Sequence, residues 1–228
     1  MEKGSDRMVT FEAGDRTGSG YLAIPERGHG PGVLVLHAWW GLKPFFKTVC
    51  DRLAAQGFVA LAPDLYQGRT ATTIEEARAL LEQRDFELMQ ATATGALAYL
   101  RGHRTTRGAA AGALGFSMGG SWAIFLASLA PEDIAAAVIF YGSESVNFSA
   151  ARAAYLGHYA EEDEWEPLDG IRQMEADMRD AGRDVTIHVY PDVKHWFFEA
   201  DRPEYNREVA EVAWRRTLDF LNQQLAYD

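Results

Sequence analysis

The run Ala113-Leu114-Gly115-Phe116-Ser117-Met118-Gly119-Gly120 constrains the fold more than any other segment of the chain. A short apolar strand, Ala113–Phe116, leads straight into a helix from about Met118 to Ala130, and one serine stands at the join. Glycines two residues before and two after it complete the pattern G-x-S-x-G. So sharp a strand-to-helix turn crowds its neighbours, and it lifts the serine hydroxyl above the sheet edge. The helix start brings backbone N–H groups and a positive dipole end beside that hydroxyl, where an oxyanion could form. The bland alternative is a serine N-cap on a glycine-rich turn. The helix that follows is apolar on nearly every side and is expected to be deeply buried.

The rest of the chain alternates short apolar strands with helices, which argues for a mostly parallel sheet. Strands are predicted at Met8–Glu12, Tyr21–Ile24, Gly32–His37, Phe58–Ala62, Ile134–Tyr141, Ala154–Tyr159 and Thr186–Tyr190. GVLVLH at 32–37 is a continuous apolar run, as expected of a strand buried on both faces. Helices are predicted at Pro44–Gln56, Ile74–Gln83, Glu87–Arg101 and Leu168–Ala181. The last helix carries Ala210, Ala213, Trp214, Thr217, Leu218, Leu221 and Leu225, a stripe at i, i+3, i+4 spacing that packs on a sheet. The 228 residues suit one sizeable domain, expected to span 1–228.

Composition narrows the function. The net charge of −11 opposes nucleic acid and acidic membrane surfaces. No stretch approaches twenty apolar residues, so no transmembrane helix is expected. Cys50 is the single cysteine, which excludes an intramolecular disulfide and a cysteine-built zinc site, and suits a cytoplasmic protein. Neither G-x-G-x-x-G after a first strand nor G-x-x-x-x-G-K-[ST] occurs, so no nucleotide cofactor is expected. No metal is expected either.

A serine hydroxyl needs a base to act as a nucleophile at neutral pH. Of the six histidines, His29 and His103 lie in loops, and His158 and His188 sit within strand patterns. His37 ends a strand and is a second candidate. His195 follows the last predicted strand, in Pro191-Asp192-Val193-Lys194-His195. In hydrolases built on such an elbow the chain order is Ser, acid, His, which favours His195. The acid then falls between them. Glu161, Glu162, Asp163, Glu164 and Glu166 all follow the Ala154–Tyr159 strand, and Asp163 has the spacing D-x-x-x-P with Pro167. The other four read as a solvated acidic loop.

These residues resemble the dienelactone hydrolase family of α/β hydrolases over nearly the whole chain. Four segments carry the likeness: VLHAWWG at 35–41, GFSMGG at 115–120, HYAEED at 158–163 with Pro167, and His195-Trp196-Phe197. The resemblance implies an α/β-hydrolase fold, with a mostly parallel central sheet of about eight strands, flanking helices and no large lid domain. It also implies that the backbone N–H groups of Trp39 and Met118 form the oxyanion hole. Loss of one such donor typically costs about 3–4 kcal/mol in the transition state.

Three departures sharpen the reading. The best-known members use cysteine in the elbow, where this chain has Ser117; Cys50 sits in the first helix pattern. A glutamate of those members, three residues before the glycine of the loop after the third strand, is replaced by Ala38. An arginine that anchors a carboxylate-bearing lactone, four residues after the catalytic histidine, is replaced by Glu199. A second anchoring arginine has no match near Ile74, although Arg78 is close. An uncharged substrate is therefore expected.

Trp39, Trp40, Trp122, Trp165 and Trp196 lie close in sequence to these motifs. Trp40, Tyr141, Trp196 and Phe198 are the expected substrate contacts, and Trp122, inside the buried helix, is assigned to the core. The expected reaction is hydrolysis of a small ester or lactone by Ser117, His195 and Asp163 through an acyl-enzyme, in a monomer or small homo-oligomer. The alternatives are thioester or peptide hydrolysis and acyl transfer on the same fold, or a ligand-binding relic.

Overall fold

In a computed structural model, residues 7–226 are described. They form eight strands: β1 (Met8–Ala13), β2 (Arg16–Ala23), β3 (Gly30–Leu36), β4 (Val59–Pro63), β5 (Thr106–Phe116), β6 (Ile134–Phe140), β7 (Ala154–Glu162) and β8 (Val185–Lys194). Six α-helices lie between and after them: α1 (Pro44–Ala55), α2 (Ile74–Glu82), α3 (Phe86–Gly102), α4 (Met118–Leu129), α5 (Leu168–Asp180) and α6 (Arg207–Gln224). The strand order is β1-β2-β4-β3-β5-β6-β7-β8. No helix among the described residues is long and apolar enough to cross a membrane.

Contacts within the chain cluster into two units, one ending at residue 111 and the other covering 112–226, and β5 runs from one into the other. In the first unit, β1 pairs antiparallel with β2 and β2 antiparallel with β4, while β3 runs parallel to β4. All seven residues of β3 are buried, as its unbroken apolar run requires. α1 starts on Pro44, whose fixed φ suits the first helical turn. α2 opens with a capping box in which Thr73 and Glu76 satisfy each other's backbone N–H groups.

In the second unit β6, β7 and β8 run parallel, in the registers Ile139–Gly157 and Gly157–Ile187. α4 packs on β6, α6 on β6 and β7, and α5 on β8. The α6 stripe is buried at Ala210, Ala213, Trp214, Thr217 and Leu221, as its spacing predicts. Trp122 is buried in α4 with its ring edge-on to Phe125, consistent with a core role.

Three strands run longer than their hydrophobic patterns. β2 begins at Arg16, because Gly18 and Gly20 blank out half of its alternation. β5 begins at Thr106, although Arg107, Gly108 and Ala109 are exposed. β8 continues to Lys194 past an irregularity, with Asp192 at φ +55° and Lys194 opposite Glu162. His195 therefore follows the strand end directly instead of lying in a five-residue loop.

Candidate active site

Ser117 stands between β5 and α4 with φ +50° and ψ −116°. A non-glycine residue in that region costs about 1–3 kcal/mol and persists only where its surroundings enforce it. Here the Ser117 N–H donates to the Phe140 carbonyl at 2.8 Å, and the Gly120 N–H donates to the Ser117 carbonyl at 2.7 Å. The glycines are obligatory for packing. A Cβ on Gly115 would lie 1.9 Å from the Gly119 oxygen, and one on Gly142 would lie 2.4 Å from the Ser117 oxygen. The Ser117 side chain makes no N-cap hydrogen bond, so the capping alternative does not describe it.

Its hydroxyl is 3.0 Å from His195 Nε2, and His195 Nδ1 is 2.7 Å from Asp163 Oδ2. The His195 and Asp163 side chains are 4% and 1% exposed, so water barely competes for their contact. The other carboxylate oxygen, Asp163 Oδ1, accepts the backbone N–H groups of Trp165 at 2.9 Å and Glu166 at 3.0 Å. The carboxylate is thus fixed by a turn of its own chain. Met118 is the first residue of α4, immediately after Ser117.

Tyr141 and Trp196 adjoin the same imidazole. Their ring centroids lie 4.8 Å and 5.0 Å from that of His195, and both residues have positive φ. The Tyr141 hydroxyl donates to Glu199 Oε1 at 3.1 Å. Burial, with the Glu199, Asp201 and Asp163 carboxylates nearby, pushes the Tyr141 phenol well above its ordinary range, so it remains a donor. Glu199 is fully buried. A cavity of about 370 Å³ opens beside His195, lined by Glu162, Glu164, Trp165, Lys194, Trp196 and Glu204. The Arg202 guanidinium lies over the Trp196 ring at 4.8 Å.

One expected contact falls elsewhere. Phe198 is a correction: its ring packs among Phe116, Phe140 and Trp214, and it is 1% exposed, so it belongs to the core. Trp196, two residues earlier and with φ +63°, takes the wall position. Trp39 and Trp40 follow β3 in the first unit, edge to face at 5.5 Å, and Trp40 is fully buried with Lys43 Nζ 5.9 Å from its ring. Cys50 is buried in α1, and burial raises its thiol far above its ordinary range.

His37 does not act as a second base. It is fully buried, Nδ1 lies 2.7 Å from the Ala38 carbonyl, and Nε2 accepts the Leu65 N–H at 3.1 Å, so both ring nitrogens are engaged. His158 is held between the Tyr190 and Thr217 hydroxyls at 2.9 and 3.0 Å. Among the described residues, no group of three or more His, Cys, Asp or Glu side chains is placed to hold a metal ion.

One residue departs from the expected solvated acidic loop. Glu166 Oε2 accepts a 2.6 Å hydrogen bond from the Ser143 hydroxyl, and the carboxyl is largely buried. Only its place three residues after Asp163 hinted at this.

Known proteins share both sequence and fold with the chain. The dienelactone hydrolase family matches residues 19–225. "Protein usf" of Aquifex pyrophilus is 33% identical over 96% of this chain and 99% of that protein. A carboxymethylenebutenolidase of Pseudomonas sp. strain P51 is 29% identical over 94% and 93%. The fold is shared with a dienelactone hydrolase-like promiscuous phosphotriesterase from metagenomic libraries, with a TM-score of 0.85, 20% identity, and 96% and 98% of the two chains covered. The chain belongs to the dienelactone hydrolase family, ester- and lactone-cleaving enzymes of the α/β-hydrolase fold.

Proposed function

We propose that the protein hydrolyses small uncharged carboxylic esters or lactones through an acyl-enzyme on Ser117. The observation that supports this most is the unbroken hydrogen-bonded line Ser117 Oγ, His195, Asp163, at 3.0 and 2.7 Å. In this reading Ser117 Oγ attacks the carbonyl carbon as His195 Nε2 takes its proton. Asp163 Oδ2 accepts the Nδ1–H, holds the tautomer and stabilises the imidazolium. The Met118 N–H, at the start of α4, receives the developing oxyanion. His195 returns the proton to the leaving alkoxide. It then activates the water that releases the acid.

The preference for uncharged substrates is supported by the surroundings of His195. Glu162, Glu164 and Glu204 line the adjacent cavity against Lys194, with Arg202 3.7 Å from Glu204, and Glu199 stands buried where the family's carboxylate-anchoring arginine would be. An anionic substrate would meet unfavourable charge there. Trp196, which lines that cavity, is the proposed apolar contact, and Tyr141 backs the His195 ring from the buried side.

The test compares neutral p-nitrophenyl esters, thioesters and a carboxylate-bearing lactone, with Ser117→Ala as the blank. The expected result is turnover of neutral esters that falls about a thousandfold or more in Ser117→Ala. Near-normal rates in a folded Ser117→Ala protein would overturn the triad, and faster relative turnover of the anionic lactone would overturn the charge preference.

A further inference from the structure

Glu166 grips two loops at once. Its backbone N–H donates to Asp163 Oδ1 at 3.0 Å, and its carboxylate accepts the Ser143 hydroxyl at 2.6 Å in the loop after β6. That second loop is itself tied down. The Ser121 hydroxyl on α4 donates to the Ser143 carbonyl at 2.7 Å, and the Tyr159 hydroxyl on β7 donates to the Gly142 carbonyl at 2.7 Å. A continuous set of hydrogen bonds therefore runs from the helix that Ser117 opens, through residues 142–143, to the turn that carries Asp163.

We propose that Glu166 is a positioning residue: by holding the Ser143 hydroxyl it fixes the turn that aims Asp163 at His195. The proposal rests on reading Ser117, His195 and Asp163 as the triad. Asp163 has one oxygen bound by two backbone N–H groups of residues 165 and 166, so its direction follows that turn. Its other oxygen meets His195 Nδ1 at 2.7 Å, a distance that tolerates little drift. Releasing the Glu166 side chain leaves the turn held by its main-chain bonds and by the Trp165 ring, 5.7 Å from that of Trp196. Ground-state binding at the serine is left alone, so the loss falls on kcat.

Glu166 also carries a charge that changes near neutrality. Burial pushes its carboxyl up to about 7; Asp163 and Glu144 push the same way, and the Ser143 hydrogen bond opposes them. The phenol of Tyr159 faces it as well and is pushed well above its ordinary range, so it stays neutral. Above pH 7 the ionised Glu166 sets a second negative charge near Asp163.

The test measures kcat and KM for Glu166→Ala, Ser143→Ala, their double variant and Glu166→Gln, with Ser117→Ala as the blank. Glu166→Ala and Ser143→Ala are each expected to lower kcat about 10- to 100-fold with KM within about twofold, and the double variant is expected to be no worse than the worse single. Glu166→Gln keeps an acceptor oxygen for Ser143 and loses the charge. It is expected to recover kcat to within about threefold. Wild-type kcat in Glu166→Ala would overturn the proposal, as would fully additive effects of the two alanine variants. If Glu166→Ala does not fold, Ser143→Ala and Glu166→Gln decide the matter by the same criteria. Wild-type turnover no higher than the Ser117→Ala blank would overturn the triad reading itself. Serine-dependent turnover with indifferent Glu166 variants overturns this proposal alone.

Discussion

His158 and His195 lie in the same unit, and their side chains are almost equally hidden from solvent, yet they are built into it differently. His158 sits inside β7 between two hydroxyls, those of Tyr190 and Thr217, with the His188 ring stacked 5.9 Å away. Burial, aided by the positive charges of His188 and Arg216, drives its pKa well below the usual range, so it stays neutral. His195 sits past the end of β8 and has a carboxylate on one nitrogen and a hydroxyl on the other. The difference teaches what burial does to an imidazole. Paired only with hydroxyls it is a core element that resists protonation, whereas a carboxylate behind it compensates the cation that proton transfer creates.

The comparison can be broken from either side. The largest effect is expected for His195→Ala, with kcat lowered about a thousandfold or more and the midpoint of thermal unfolding nearly unchanged. An ester rate that survives this substitution in a folded protein would remove the distinction. His158→Leu is expected to do the reverse. It leaves the Thr217 hydroxyl without its buried partner and costs about 1–3 kcal/mol in urea unfolding, while kcat stays within about twofold.

The smallest effect is on acid sensitivity. Because the folded pKa of His158 is lowered, both states are neutral at this site above the unfolded value of about 6.5. As pH falls below that, the unfolded chain takes up a proton that the folded chain refuses. Stability then drops by up to about 1.4 kcal/mol per pH unit for this one group. Between pH 7.5 and 5.5, urea unfolding of His158→Leu is expected to lose about 1.4 kcal/mol less stability than the wild type, an average of about half a proton. An identical loss in both proteins would mean that His158 titrates normally in the fold.

Much of this was legible in the sequence, for physical reasons. The strand-to-helix turn at Ser117 is written in its glycines, of which Gly115 leaves no room for a Cβ. β3 and α6 are written in apolar periodicity, and the family pattern supplied the order Ser117, Asp163, His195. What was not legible depended on distant partners. β5 extends back to Thr106 through small and exposed residues that carry no alternation of their own. Phe198 reads like a pocket aromatic, yet the chain direction after His195 sends it into the core and leaves Trp196 at the wall. Glu166 was indistinguishable from the acidic residues around it, because its burial depends on Ser143, 23 residues earlier.

The most direct measurement of the central claim is intact-protein mass spectrometry after exposure to a fluorophosphonate probe. Such a probe reacts with a serine only where a base activates it. The account predicts one adduct per wild-type chain, located on the peptide containing Ser117, with labelling slowed strongly in His195→Ala and absent in Ser117→Ala. An unlabelled wild-type protein, or an equally labelled Ser117→Ala protein, would contradict it.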